Sequence, residues 1–425
     1  MFKITYSYIL TILLFSLIIL FILSYGSSHN ISINNEHMNN EHINNEHMIN
    51  ITSQDKLNYG WSQNTCNYKM VNTIQQVLDD FNIKRVDNKN SDIIFPCAYD
   101  EIDKEINQFK PEENLNAKFF IIKDADQLIG KDLLWFNLVN HYGINKASTM
   151  VPMSYILIHN DDMNRFKNDY NKNNLYILKK NVQRQEGLKI TNDLNEILKG
   201  KDENFVIVQN LLQDPYIITD NLNNKVNNRK INIRFYILIV CNNNDMDVYV
   251  HNDGFMYYTP ESFIKGSMDA SANITTGYID RQVYEVNPLT QQDFRKYLDN
   301  PDRKLNQFET NIRNQNLIIS QVVFQRVYDL FKNVFIAIYN KINKNSKITN
   351  KFSFQLFGAD IAINNELIPS LMEINKGPDL GSKDKRDGDV KYKVVSDTFR
   401  IINIIDDNEQ NGFVNILSVK NGIIE

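Results

Sequence analysis

Asp360, Glu373 and Asn375 are the residues whose types and spacing most directly suggest chemistry. They fall within F-Q-L-F-G-A-D-I-A-I-N-N-E-L-I-P-S-L-M-E-I-N-K-G-P-D-L, residues 354–380, which reads as two short strands joined by a turn at Asn364-Asn365. Glu373 and Asn375 lie two apart and so share one strand face, and Asp360 lies on the partner strand. Three oxygen donors therefore converge. Hard oxygen ligands of this kind suit Mg²⁺, which is usually held by one or two carboxylates plus the phosphates of a nucleotide. An E-x-N on a strand is common by itself. Asp360 followed by Glu373-Ile374-Asn375 and Pro378 is more specific, and it points to an ATP-dependent enzyme.

Cations for such a nucleotide lie upstream. In K-I-N-I-R, Lys230, Asn232 and Arg234 alternate with the apolar Ile231, Ile233 and Phe235. One face is buried and the other presents cation, amide, cation. Like charges on one strand face repel unless anions lie between them, and phosphate oxygens are the natural fill. Y-I-L-K ends a strand at Lys179, followed by a polar loop containing Gly187. A strand-end lysine beside a flexible loop suits phosphate binding under a lid, although alone it is ordinarily a solvated charge. F-V-I-V-Q-N-L-L, residues 205–212, reads as a buried strand running into an extended segment that offers backbone groups to an adenine edge, or simply as a core strand.

These motifs need a mixed scaffold. Apolar spacing predicts helices over 70–81, from Lys131 to a stop at Gly143, over 193–199 and over about 317–344. Residues 119–122, 155–158, 176–179 and 205–209 read as strands, and 231–240 pairs with 246–250 about an N-N-N-D turn. A closing helix is expected over 390–405. The 425 residues, 42% hydrophobic and 23% charged, are ordinary for a globular protein of two or three domains. The net charge of −5 and the lack of a basic tract disfavour nucleic acid. Cys66, Cys97 and Cys241 are odd in number and widely spaced, so core thiols are expected rather than a disulfide framework.

Residues 4–25 are almost wholly apolar and uncharged. A helix of that length, at about 1.5 Å per residue, spans a hydrocarbon core of roughly 30 Å, so residues 1–25 are expected to form a transmembrane signal-anchor and to make the chain a single-pass membrane protein. Residues 26–58 are Asn-rich and repeat N-N-E-H, which suggests a flexible stalk. Sequons occur at Asn30, Asn50 and Asn273.

Taken in order, the motifs resemble the tubulin–tyrosine ligase family of the ATP-grasp superfamily. The resemblance runs over roughly residues 119–405 and includes G-K-D-L-L-W (130–135), P-M-S-Y-I-L (152–157) and V-V-S-D-T-F (394–399). It implies an α/β ATP-grasp fold, with an N-terminal subdomain over 59–157 and central and C-terminal subdomains over 158–425. ATP and Mg²⁺ would lie between the last two.

Lys179 then matches a phosphate-gripping lysine, with Lys180 where proline is usual. Lys131 matches an upstream phosphate-directed cation, and Gly187 lies in the lid. Gln209, Asn210 and Leu211 match the adenine hinge. Lys230, Asn232 and Arg234 match the K-x-D-x-R segment, with Asn for the usual Asp, and Asp360, Glu373 and Asn375 match the metal ligands. Arg234 and Lys179 would be catalytic.

The acceptor end departs from the pattern. Tyr257 stands where many members carry arginine, and Asn273 and Thr276 occupy the His and Asn positions of H-L-T-N. A changed substrate or reduced activity follows. The resemblance implies ligation of a free amino acid to a protein carboxylate, on tubulin or another acidic protein. The alternatives are a nucleotide-binding pseudo-ligase and a membrane-anchored interaction protein with little catalysis.

Overall fold

A computed structural model of the chain describes residues 57–66, 69–86, 91–108, 116–182, 187–342 and 351–425. Among these, a twelve-stranded mixed sheet dominates. Its organising strand is Lys225–Asn242, whose period-two pattern gives it two different faces. Ile231, Ile233 and Phe235 are fully buried, and Phe235 packs at 5.9 and 5.5 Å against Phe324 and Phe331 of the helix Ile319–Ile338. Lys230, Asn232 and Arg234 alternate with them and carry the opposite face.

The strand Ser353–Ile363 runs antiparallel beside the long strand and is buried along its whole length, as its near-continuous apolar sequence requires. Its first residues pair in parallel with Lys118–Phe120, and its last six pair with Pro369–Asn375. The sheet continues in parallel through Ile93–Phe95 and Asn58–Trp61. On the other side Asp245–His251 and then Phe413–Lys420 extend it antiparallel. A separate four-stranded antiparallel sheet holds Ser154–Ile156, Ile207–Asn210, Tyr176–Lys179 and Leu188–Thr191. Phe166 of the helix Asn160–Asp169 closes that sheet's own core against Tyr155 and Tyr176.

The expected elements appear with shifted ends. The helix expected over 70–81 is Lys69–Asp80, and the closing helix starts earlier, at Lys385, because Asp384 caps it through the Asp387 N–H. The strand expected over 119–122 stops at Phe120, where the Ile121 N–H turns back to the Phe119 carbonyl at 2.9 Å.

Two expectations are corrected. No helix among the described residues is long and apolar enough to cross a membrane, so neither a fold headed by a transmembrane helix nor single-pass membrane localisation is retained. The segments on which those readings fell, 1–25 and the stalk up to residue 56, lie outside the described residues, as do the sequons at Asn30 and Asn50. Second, Cys66 and Cys97 form a disulfide with Cα atoms 5.2 Å apart. Parallel pairing of Asn58–Trp61 with Ile93–Phe95 brings together the segments that follow these strands, which a separation of 31 residues in sequence does not reveal. Cys241 is buried, as expected.

The closing helix is pinned by Asp397, whose side chain is fully buried. Its carboxylate meets His251 Nε2 at 3.1 Å and accepts from Lys393, Arg400 and the Gly412 N–H at 2.8 Å each. Burial alone would raise its pKa, but the bonds from His251, Lys393 and Gly412 outweigh it and hold the group at about 2. A depressed carboxylate contributes stability above its ordinary pKa and loses it as pH falls through the depressed value. We therefore expect Asp397→Asn to cost on the order of 2 kcal/mol at neutral pH in urea denaturation, with the gap from the native chain narrowing below about pH 4.

Candidate active site

The site is built by strand register. Arg234 on the long strand lies directly across from Asp360, and Asp360 lies directly across from Glu373. The last match depends on an irregularity: Leu371 faces Ile361 while Glu373 faces Asp360, so Met372 is an extra residue. Such a bulge re-aims the strand locally. It lets Glu373 share a face with Asp360 rather than with Ile361.

Arg234 grips Asp360 through two parallel hydrogen bonds, Nε to Oδ1 at 2.7 Å and Nη2 to Oδ2 at 2.9 Å. This is the strong, bidentate form of the interaction, with both side chains only 12% and 11% exposed. Gly358 makes room for it: a Cβ there would sit 3.1 Å from Arg234 Nη1 and 3.3 Å from Pro378 Cβ. The Tyr257 ring covers the guanidinium at 5.1 Å. Glu373 accepts from Asn375 Nδ2 at 3.2 Å and pairs with Lys131 Nζ at 3.7 Å. Burial raises the pKa of Asp360, assisted by Glu373 and opposed by Arg234. Burial pushes Glu373 the same way, but Lys131, Lys179 and Arg234 together hold it below the ordinary range.

Two lysines stand out. Lys179 and Lys230 are 5% and 4% exposed, and among the described residues neither has a carboxylate within ion-pair distance. Lys179 Nζ reaches the carbonyl of the bulged Met372 at 3.5 Å. Burial lowers both to about 8; Glu373 partly offsets this at Lys179, and Lys179 repels Lys230. Buried ammonium groups without an ion-pair partner are costly, and here two of them lie close enough to repel each other, with Glu373 and Asp360 acting on Lys179 and Asp214 on Lys230 only from a distance.

A cavity next to them is lined by Ile129, Lys131, Trp135, Gln209, Met372 and Glu373, among others. Gln209 donates to Ser154 Oγ at 2.7 Å, while its buried Oε1 has no partner among the described residues. The backbone N–H groups of Asn210 and Leu211 are already bonded to the Met153 and Leu175 carbonyls. Asn232 Oδ1 is also buried and unpartnered. Gly187 accepts from the Lys180 N–H at 2.9 Å, and a Cβ there would meet Val182 Cγ2 at 2.5 Å. Residues 183–186 of that loop lie outside the described residues.

Tyr257 therefore joins the cluster, whereas Asn273 is engaged within its own loop and Thr276 bonds the end of the strand Phe255–Tyr258. Asn273 is 3% exposed and its Nδ2 donates to the Ser267 and Asp269 carbonyls, which leaves that sequon nitrogen inaccessible to a glycan in the folded protein. Thr276 donates its N–H to the Tyr258 carbonyl and accepts from the Tyr278 N–H, placing Gly277 against the Tyr257 ring. Gly358 carries its signal in the sequence only as the glycine two before Asp360.

Residues 112–411 match the model of the tubulin-tyrosine ligase family. The chain belongs to this family. It is 25% identical over 241 residues to mouse (Mus musculus) tubulin polyglutamylase TTLL6, covering 55% of this chain and 27% of that protein. It is 22% identical over 323 residues to the probable tubulin polyglutamylase ttll-9 of Caenorhabditis elegans, covering 72% of this chain and 71% of that one. Tubulin glycylase 3B of Drosophila melanogaster is 23% identical over 250 residues, 57% of this chain and 31% of its own. The chain thus spans about a quarter of the length of the mouse relative, at 27%.

If the Arg234–Asp360 pair is the keystone of this family member's site, Arg234→Met strands a buried carboxylate. It should lose roughly 3–5 kcal/mol in urea denaturation, and adding Asp360→Leu should recover most of that loss. A single-variant loss under about 1 kcal/mol would mean that the pair is solvated.

Proposed function

We propose that the chain is an ATP-dependent ligase that joins a free amino acid to a carboxylate of an acceptor protein. The observation that carries this reading is the pair of buried ammonium groups without an ion-pair partner among the described residues, Lys179 and Lys230, the first of which reaches the carbonyl of Met372 in the wall of the Gln209 cavity. A polyanion satisfies them, and a triphosphate is the polyanion that also uses an orphaned amide oxygen at Gln209, which fits the exocyclic amine of adenine. The oxygen donors of Glu373, Asn375 and Asp360 fit Mg²⁺, which when bound there would neutralise phosphate oxygens.

The chemical obstacle is the approach of an anionic carboxylate to an anionic triphosphate. Lys179, Lys230 and Lys131 supply fixed positive charge for it. A preorganised donor of this type is worth about 3–4 kcal/mol of barrier when removed. Arg234 is already held by Asp360, so its guanidinium is oriented before any ligand arrives. The acceptor carboxylate oxygen attacks the γ-phosphorus, ADP leaves, and an acylphosphate results. The amine of the amino acid then attacks the acyl carbon; phosphate departs, the amine proton is lost, and an amide bond remains. An amide forms in place of hydrolysis only where water is kept from the acylphosphate. The names of the relatives make tubulin the first acceptor to test, with other acidic proteins next.

The full chain incubated with ATP, Mg²⁺, tubulin and labelled amino acids should release ADP and give an acceptor mass shift of one or more amino-acid residues. Glu373→Gln should abolish both. Absence of any nucleotide-dependent rise in melting temperature would overturn the reading. A pH test is independent of turnover. Lys230 sits at about 8 without ligand, and an adjacent phosphate would hold it charged. Nucleotide binding should therefore take up a proton just above that pH and weaken as pH rises further. Calorimetry in buffers of different ionisation enthalpy measures the uptake, which Lys230→Met should reduce, leaving the part that Lys179 supplies.

A further inference from the structure

The wall of the Gln209 cavity is mostly apolar, with Ile129, Leu134, Trp135 and Val151 among its residues. Its two charged residues, Lys131 and Glu373, are paired with each other at 3.7 Å. Gln209 is different. Among the described residues that line the cavity, it alone has a buried side-chain polar atom without a partner, Oε1. An amide offers either an acceptor or a pair of donors, depending on which way round it is seated.

Ser154 decides the seating here. It lies directly opposite Gln209 on the antiparallel strands Ser154–Ile156 and Ile207–Asn210. Gln209 Nε2 donates to Ser154 Oγ at 2.7 Å, and Ser154 Oγ donates to the Pro152 carbonyl at 2.6 Å. A hydroxyl has one hydrogen to give. With that hydrogen committed to Pro152, Oγ meets Gln209 only as an acceptor. Reversing the amide would set Oε1 against Oγ. Either those two oxygens would then face each other with no hydrogen between them, or the hydroxyl would turn and leave its oxygen bare against the Pro152 carbonyl. Ser154 is fully buried, so solvent does not relieve either contact.

We infer that Ser154 is a specificity-determining residue, which fixes the Gln209 amide so that the site takes a purine nucleotide with an exocyclic amine and refuses one with a carbonyl in that place. The inference rests on the ligase reading above and deepens it. Ser154 is a positioning residue that acts through Gln209. The amine of adenine donates to Oε1. The carbonyl of hypoxanthine or guanine brings a second acceptor to the same oxygen and leaves both without a hydrogen. A polar pocket discriminates strongly when the wrong ligand leaves its buried groups unpaired. The adjoining backbone does not rescue the carbonyl, because the N–H groups of Asn210 and Leu211 are already bonded to the Met153 and Leu175 carbonyls at 2.9 Å each. Without the Ser154 hydroxyl, the amide is free to turn its Nε2 towards the base.

The test is equilibrium binding of the non-hydrolysable imido analogues of ATP and ITP, with Mg²⁺, to the full chain. ITP differs from ATP only in carrying a carbonyl in place of the amine and a proton on the adjacent ring nitrogen. The native chain should prefer the ATP analogue by on the order of tenfold or more. Ser154→Ala should narrow that ratio to within about threefold, chiefly by tightening the ITP analogue, whereas Ser154→Thr, which keeps the hydroxyl, should hold the native ratio. Ser154→Cys, close to serine in size but a weak donor and acceptor, should narrow the ratio as alanine does and supplies the measurement if Ser154→Ala does not fold. Equal binding of the two analogues by the native chain, an unchanged ratio in Ser154→Ala or Ser154→Cys, or a ratio lost equally in Ser154→Thr would each overturn the role of Ser154. Failure of the native chain to bind either analogue would instead remove the ligase reading on which it rests.

Discussion

The interaction on which the site depends is the buried, two-pronged contact between Arg234 and Asp360. Removing two charges from water is expensive, and their attraction offsets that cost only when the geometry is good and the remaining donors are used. Here the sheet supplies the geometry: the two residues are register partners on adjacent central strands. The glycine at 358 and the ring at 257 complete the enclosure. Once the pair is fixed, Asp360 is held at a defined place and Glu373 is set beside it through the bulge at Met372.

The long strand does two jobs because its side chains alternate. Its apolar face anchors the helix Ile319–Ile338 through Phe235, so the strand is rigidly backed. Its polar face then presents Lys230, Asn232 and Arg234 on a fixed platform, where Lys179 of the neighbouring sheet repels Lys230. The free protein therefore carries an electrostatic deficit that a bound polyanion would remove. That deficit is tolerable because the surrounding core is large and because Glu373 lies close enough to Lys179 and Lys131 to moderate it.

The loop after Asn375 is held from behind by the parallel part of the sheet. Gln355, fully buried, accepts from the Ile122 N–H and donates to the Lys376 carbonyl, while the Tyr99 ring fills the space where a side chain on Gly377 would go. Tyr99 follows Cys97, whose disulfide with Cys66 and bonds to Ser62 and Glu105 tie that segment to the neighbouring strand. The N-terminal strands thus buttress the loop that follows Glu373 and Asn375.

Much of this was legible in the sequence because it depends on local periodicity. Alternation at 230–235 fixed which side chains share a face, the apolar run at 353–363 marked a central strand, and the spacing of Asp360, Glu373 and Asn375 marked their convergence. What the sequence could not show depends on which distant segments meet. The bulge at Met372 is visible only against its partner strand, and the Cys66–Cys97 bond only once two separate strands pair in parallel. Lys179 and Lys230 read as possible solvated charges, and only packing buries them without an ion-pair partner among the described residues. Only the tertiary structure decides which charges are already matched and which are left over, because ion pairs form between strands and helices far apart in sequence.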